Sequence, residues 1–218
     1  MRPNQAGFHA RRRCVDQIFT LRRILESSHC YQQPTAVCFV DFAAAFDSVH
    51  RESLRRIMTL YGLPSKIIAM IKAYYSSTTA LGLVHNNLSQ AFGIRSGVRQ
   101  GCILSPILFN YAINWILGKA LHKEDGVELA PGRRLADLDY ADDIALLASN
   151  LGDLQSMVSR VNDVAKSVGS SINAGKTKVF SSCIPAREKA PLKINGYQLE
   201  EVDRFQIPLG EVAAEWTA

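Results

Sequence analysis

Three aspartates stand beside stretches of chain that have to be buried. Ala36-Val37-Cys38-Phe39-Val40 is a short, continuous apolar run rich in β-formers, and it leads directly into Asp41. Such a run reads as a buried strand. Residues 133–149 read as two further strands with a turn at Asp142-Asp143. A carboxylate beside a buried strand is costly to desolvate unless donors or a cation meet it. Neighbouring residues on a strand point to opposite faces. Asp142 and Asp143 can therefore share a site only if a tight turn bends the chain there. Taken alone, the pair also fits an ordinary acidic turn, because Asp is common in turns. Convergence with Asp41 would bring three like charges together and favour a divalent metal, and hard oxygen donors select Mg²⁺ or Mn²⁺.

The remaining chain supplies elements to frame such a sheet. Residues 14–25 place Val15, Ile18, Phe19, Ile24 and Leu25 near one helical face, with Asp16, Gln17, Arg22 and Arg23 outside it. A helix over 51–61 turns Leu54, Ile57, Met58 and Tyr61 to one side and stops at Gly62. Pro64 opens the next helix, with Ile67, Ile68 and Ile71 inward. Residues 79–84 and 89–94 flank His85-Asn86-Asn87 as a hairpin. Ser105 reads as an N-cap and Pro106 as the first residue of a helix to about 121, apolar nearly all round and so buried. Residues 151–168 carry Leu151, Leu154, Val158, Val161, Ala165 and Val168 at helical spacing, ending at Gly169. A strand follows over 177–182, and Asn195-Gly196 marks a type I′ hairpin. This order predicts an α+β domain, one sheet with helices packed on one face.

Charge and cysteine usage narrow the partners. Among the first 30 residues, Arg2, Arg11, Arg12, Arg13, Arg22 and Arg23 outnumber Asp16 and Glu26, and the net charge is +5. That excess fits a polyanionic partner or a solvated basic end. Five cysteines without a C-x-x-C pair fit reduced thiols in an intracellular protein. The first residues lack a signal peptide's apolar stretch, and no run has the length of a membrane span. Gly175-Lys176-Thr177 imitates the end of a P-loop, but Ser170 occupies the position where that loop needs glycine. Ser96–Cys102 carries Gly97 and Gly101 just ahead of a helix start, which suits either a close approach to a ligand or a plain loop.

Residues 40–51, 96–113 and 138–148 resemble motifs A, B and C of non-LTR retrotransposon reverse transcriptases, with Tyr140-Ala141-Asp142-Asp143 as the motif C box. Asn173 with Lys176-Thr177 matches motif D, residues 4–25 resemble the preceding fingers motif, and the likeness runs over about 4–210. The resemblance implies a polymerase palm-type antiparallel sheet with partial fingers. It divides the chain into a fingers segment (1–35), a palm with a degraded primer-grip region (36–210) and a non-family tail (211–218). The implied activity is RNA-directed DNA polymerase: extension of a DNA primer on an RNA template with deoxynucleoside triphosphates. Asp41, Asp142 and Asp143 would hold two Mg²⁺ ions, with Mn²⁺ as a substitute. Phe46 matches an aromatic gate against the ribose 2′-hydroxyl. Gln100 matches a contact to the incoming nucleotide and template, and Gly101, Arg12 and Tyr140 complete the substrate-binding set. Lys176 would protonate or stabilise the leaving pyrophosphate.

Two departures stand out. His9 occupies the place of an arginine expected to help hold the triphosphate. Phe205–Gly210 is displaced from the family's primer-grip hairpin and carries Pro208, which cannot donate within a central ladder. Thumb, endonuclease and upstream fingers segments have no match in these residues, as expected of a piece of a longer element protein. Two rival readings use the same residues. One is a nucleic-acid-binding module that has kept the fold and lost turnover. The other is a different palm-type enzyme such as a nucleotide cyclase, against which motif B and Lys176 argue.

Overall fold

The computed structural model describes residues 2, 4–9, 11–85, 87–209 and 212–217, with backbone alone from 204 onward. Helix α1 (Cys14–Cys30) leads to strand β1 (Thr35–Val40), the short helix α2 (Ala45–Ser48), and helices α3 (Arg51–Leu60) and α4 (Ser65–Ser76). Four two-residue strands follow, β2 (Thr79–Ala80), β3 (Leu83–Val84), β4 (Asn87–Leu88) and β5 (Phe92–Gly93), and then helix α5 (Ser105–Ala120). Next come β6 (Val127–Ala130), β7 (Arg133–Leu135), β8 (Asp137–Tyr140), β9 (Asp143–Ala148), helix α6 (Leu151–Ser167) and β10 (Lys178–Ser182). The last strands are β11 (Lys193–Ile194), β12 (Tyr197–Gln198), β13 (Glu200–Glu201), β14 (Arg204–Leu209) and β15 (Val212–Thr217).

The central sheet has the order β13-β10-β1-β9-β8. The apolar run 36–40 takes its middle, antiparallel to both neighbours. Alternation along the strands sends Ala36, Cys38, Val40, Ile144 and Leu146 into the larger core, where they meet α3, α5 and α6. Helix α5 is buried along most of its length, as a sequence apolar nearly all round requires. Full burial of a residue such as Phe109 or Ile113 is worth roughly 1.5–3 kcal/mol.

The α+β arrangement holds, with a fuller covering of the sheet than expected. Helices do not lie on one face only: α1 covers the other, packing Leu21, Ile24 and Leu25 on Val37, Leu147 and Phe180. A continuous apolar strand needs both faces covered, and α1 supplies the second cover. Its inward stripe is Leu21, Ile24, Leu25 and Ser28, while Val15 and Phe19 are exposed, contrary to the face assigned from periodicity. Ile67 is likewise exposed, with Ile68 and Ile71 packed inward. The sheet is mixed, because β13 runs parallel to β10 at its edge. Ser105 is the first helical residue of α5 and does not cap it; its hydroxyl donates back to the Arg99 carbonyl at 2.5 Å.

Both expected hairpins form. β2 pairs with β5 and β3 with β4; Asn86 lies outside the described residues. Asn195 and Gly196 have φ of 52° and 85°, as a type I′ turn needs. The displaced segment 205–209 sits in β14, paired with β15 as a two-stranded ribbon in which Pro208 opposes Ala213. A ribbon edge tolerates a proline that a central strand would not. Gly210, Glu211 and Ala218 of the expected grip and tail lie outside the described residues. No described helix is long and apolar enough to cross a membrane.

Candidate active site

The register of the sheet assembles the acids. Val40 pairs with Ile144, so the next positions along the two antiparallel strands are Asp41 and Asp143. Tyr140 pairs with Asp143, leaving Ala141-Asp142 as a two-residue loop between β8 and β9. Asp41 thus leaves the central strand beside the turn that carries the other two carboxylates. None of the three forms an ion pair among the described residues. Asp143 is open to solvent yet crowded by protein. That partial desolvation, followed by the negative charges of Asp142 and Asp41, raises its carboxyl above the usual range.

These donors fit a hard divalent cation in chemistry: they are all carboxylate oxygens, they repel one another, and none is in an ion pair among the described residues. They are not a preassembled cage, since no three His, Cys, Asp or Glu side chains converge on one point among the described residues.

The chain after α6 fixes Asp41 from the other side. Asp41 donates its N–H to Thr177 Oγ1 at 3.2 Å, and its carbonyl accepts the Asn173 N–H at 2.8 Å. Thr177 is fully buried. Asn173 also accepts the Lys176 and Thr177 amides on its carbonyl, closing the turn that presents Lys176. Lys176 is exposed and makes no ion pair among the described residues, so its ammonium is available beside the Asp41 segment.

The loop before α5 docks on the segment after Asp41. Val98 donates to the Phe46 carbonyl at 2.7 Å and Gly97 to the Val49 carbonyl at 2.8 Å. The Arg99–Cys102 turn closes at 3.1 Å with Gly101 at φ 80°. A turn with positive φ at its third residue requires glycine there, and it leaves Gln100 exposed on the corner. Arg51 ties this region together, donating to the carbonyls of Gly97, Tyr75 and Ile94. Phe46 is half-buried, stacked on Phe109 at 4.3 Å between centroids with Phe8 edge-on at 6.4 Å. It is therefore anchored in the core on one side and open on the other. Tyr140 is half-buried at the base of the acidic turn. Arg12 is exposed and donates to the Gln5 carbonyl at 3.0 Å, while His9 Nε2 is buried with no hydrogen-bond partner among the described residues. Ala10, between them, lies outside the described residues.

Sequence reasoning did not single out Thr177, Arg51 or Gln5. Thr177 lay inside the quoted motif D and Gln5 inside the fingers motif, but their partners are 136 residues away in each case. Periodicity carries no signal for contacts of that range.

Comparison with known proteins identifies the family of the chain. The family model described as reverse transcriptase (RNA-dependent DNA polymerase) matches residues 1–199. The chain belongs to that family, and its relatives are of the non-LTR retrotransposon type. The Pol polyprotein of type-2 retrotransposable element R2DM from Drosophila melanogaster is 28% identical over 214 residues, 98% of this chain and 20% of that protein. A Pol polyprotein of type-1 retrotransposable element R2 from Popillia japonica is 31% identical over 178 residues, 78% of this chain and 25% of that one. Among solved structures, telomerase from Candida tropicalis superposes with a TM-score of 0.60 at 17% identity, covering 89% of this chain and 32% of that chain. The chain spans 20% to 29% of the first two relatives' length, so it corresponds to a segment of such proteins.

Proposed function

We propose that this chain is the palm, with part of the fingers, of an RNA-directed DNA polymerase that adds deoxynucleotides to a DNA 3′ end on an RNA template. The observation that carries the reading is the register that sets Asp41 beside Asp142-Asp143 with no ion-pair partner among the described residues. In this reading residues 1–35 belong to the fingers, 36–210 to the palm, and 211–218 lie beyond the family's pattern.

Asp41 and Asp142 are the principal ligands for two Mg²⁺ ions, and Mn²⁺ can replace them, with Asp143 alongside. The ions, when bound, supply charge that activates the primer hydroxyl and neutralises the triphosphate and leaving pyrophosphate. Lys176, on its exposed turn, donates a proton or positive charge to that pyrophosphate. Phe46 closes the space a ribose 2′-hydroxyl would need. Gln100, with Gly101 shaping its turn, reaches the incoming nucleotide and the template. Arg12 and Tyr140 line the nucleotide's path. The net charge of +5 suits a polyanionic template and primer.

The test has two arms. Mn²⁺ binding is followed by electron paramagnetic resonance on the 218-residue chain. Primer extension on RNA is followed in a longer polypeptide that supplies thumb and upstream fingers. Asp41→Asn and Asp142→Asn should each weaken the metal and lower extension by about a hundredfold or more, the scale of losing one charge-stabilising group. Metal binding without extension by the longer polypeptide would favour a nucleic-acid-binding module. Full extension by either variant would end the assignment.

A further inference from the structure

We infer that Gln5 is a positioning residue that holds the acidic turn in its working conformation; the inference rests on the metal-binding reading above. The loop between β8 and β9 turns through Ala141 at φ 57°, a left-handed conformation that glycine takes freely and alanine does not. Both polar backbone groups of this residue meet one side chain. Ala141 donates its N–H to Gln5 Oε1 at 3.0 Å, and Gln5 Nε2 donates to the Ala141 carbonyl at 3.3 Å. Gln5 Oε1 also accepts the Gly7 N–H at 2.6 Å. Gln5 is fully buried, so an amide that met no such partners would be costly to keep there. A carboxamide offers both an acceptor and a donor at this reach.

The grip is anchored. Gln5 forms a parallel bridge to Asp139, and Ala6 donates to the Asp139 carbonyl at 2.9 Å, so residues 5–6 run along the outer edge of β8. Gln17 donates to the Asn4 carbonyl at 2.7 Å, and Asn110 to the Gly7 carbonyl at 3.2 Å. Arg12 donates to the carbonyl of Gln5 itself. Gly7 closes the contact: a Cβ there would fall 2.1 Å from Ala141 N and 2.6 Å from Ala141 Cα, so only glycine lets the two backbones meet. The start of the chain thereby holds the residue immediately before Asp142. It sets where that carboxylate points without touching substrate or metal.

The 218-residue chain carries the test, with two readouts: exchange of the Ala141 amide hydrogen and Mn²⁺ affinity by electron paramagnetic resonance. Gln5→Leu removes donor and acceptor at similar volume; Gln5→Met, which adapts its shape, serves if that variant does not fold. The expected result is Ala141 exchange faster by about tenfold or more, with α6 amides unchanged, and Mn²⁺ binding weaker by about tenfold, the scale of one lost hydrogen bond. Adding Ala141→Gly should recover most of the Mn²⁺ affinity while leaving that amide unprotected, because glycine adopts the turn unaided. Unchanged exchange at Ala141 would overturn the grip. Lost affinity that Ala141→Gly does not recover would reduce Gln5 to general packing and overturn its positioning role. If the parent chain binds no Mn²⁺, the metal reading fails by itself, and the exchange measurement still decides whether Gln5 holds the turn.

Discussion

Thr177→Val removes the side-chain hydrogen bond between the motif D turn and the Asp41 amide. Valine matches threonine in shape and removes the acceptor at 3.2 Å from the Asp41 nitrogen. A buried donor left without a partner costs roughly 1–3 kcal/mol. Asp41 is half-buried, so water can reach part of its surroundings, and the lower half of that range applies. The bond from Asn173 to the Asp41 carbonyl remains and limits displacement. The expected loss is about 1–1.5 kcal/mol by the same scale. With a urea slope of about 2 kcal/mol/M, the midpoint then falls by roughly 0.5–0.8 M. Thr177→Ser keeps the hydroxyl and loses one methyl, worth about 0.8 kcal/mol, so global stability separates the two variants poorly. Exchange of the Asp41 amide separates them well. It should accelerate about tenfold in Thr177→Val, a factor equivalent to 1.4 kcal/mol, and stay at the parent rate in Thr177→Ser. Equal exchange in parent and Thr177→Val would refute the contact, and equal acceleration in both variants would show that the methyl group, not the hydroxyl, holds Asp41.

Two further outcomes follow from side chains at and behind the turn. Phe46→Val in an active longer polypeptide should raise ribonucleotide use relative to deoxynucleotides by about tenfold or more, 1.4 kcal/mol per factor of ten; an unchanged ratio, with lower stability, would make Phe46 a core residue only. Asp139 is fully buried, and burial first and the charge of Asp137 second push its carboxyl well above the usual range. Its folded-state value exceeds the unfolded one of about 3.9, so its contribution to stability is complete below about pH 4 and is lost as pH rises through the folded value. In urea titrations the stability of Asp139→Asn relative to the parent should therefore rise between pH 4 and pH 8, and a gap that does not change with pH would contradict this.

The strands and helices were legible because their residues declare a period or a run. The apolar stretch 36–40 became the central strand, and 105–120, apolar nearly all round, became a buried helix. Asn195-Gly196 became the turn its positive φ angles predict. Helix α1 shows where periodicity fails. Its apolar residues are spread widely enough to offer two faces, and only packing against Val37 and Phe180 selects Leu21, Ile24 and Leu25 over Val15 and Phe19. The acids were found because a carboxylate beside a buried strand is anomalous in itself. Their supports were not, because Thr177 and Gln5 are ordinary residues in sequence. What marks them is a backbone group brought from the far end of the chain.

Strain and unbalanced charge concentrate at one end of the sheet. Of the eight described non-glycine residues with positive φ, four (Phe8, Arg11, Ala44 and Ala141) lie in segments that frame the acidic turn. An L-residue held there costs about 1–2 kcal/mol, and such outliers persist only where the surroundings leave no alternative. Ala44, three residues after Asp41, is held because its carbonyl accepts the amides of Asp47 and Ser48 in α2. Ala141 is held by Gln5 on both of its polar groups. The carboxylates flanked by these residues form no ion pair among the described residues, and burial with the charges of Asp142 and Asp41 raises the Asp143 carboxyl above the usual range. A relaxed turn would let the acids move apart and into water. The hydrogen bonds that the Asp41 and Ala141 amides donate to Thr177 and Gln5 oppose that escape, so the repulsion stays in the folded chain. In the proposed metal-binding reading, folding stability and divalent-ion affinity are coupled through the same few backbone groups.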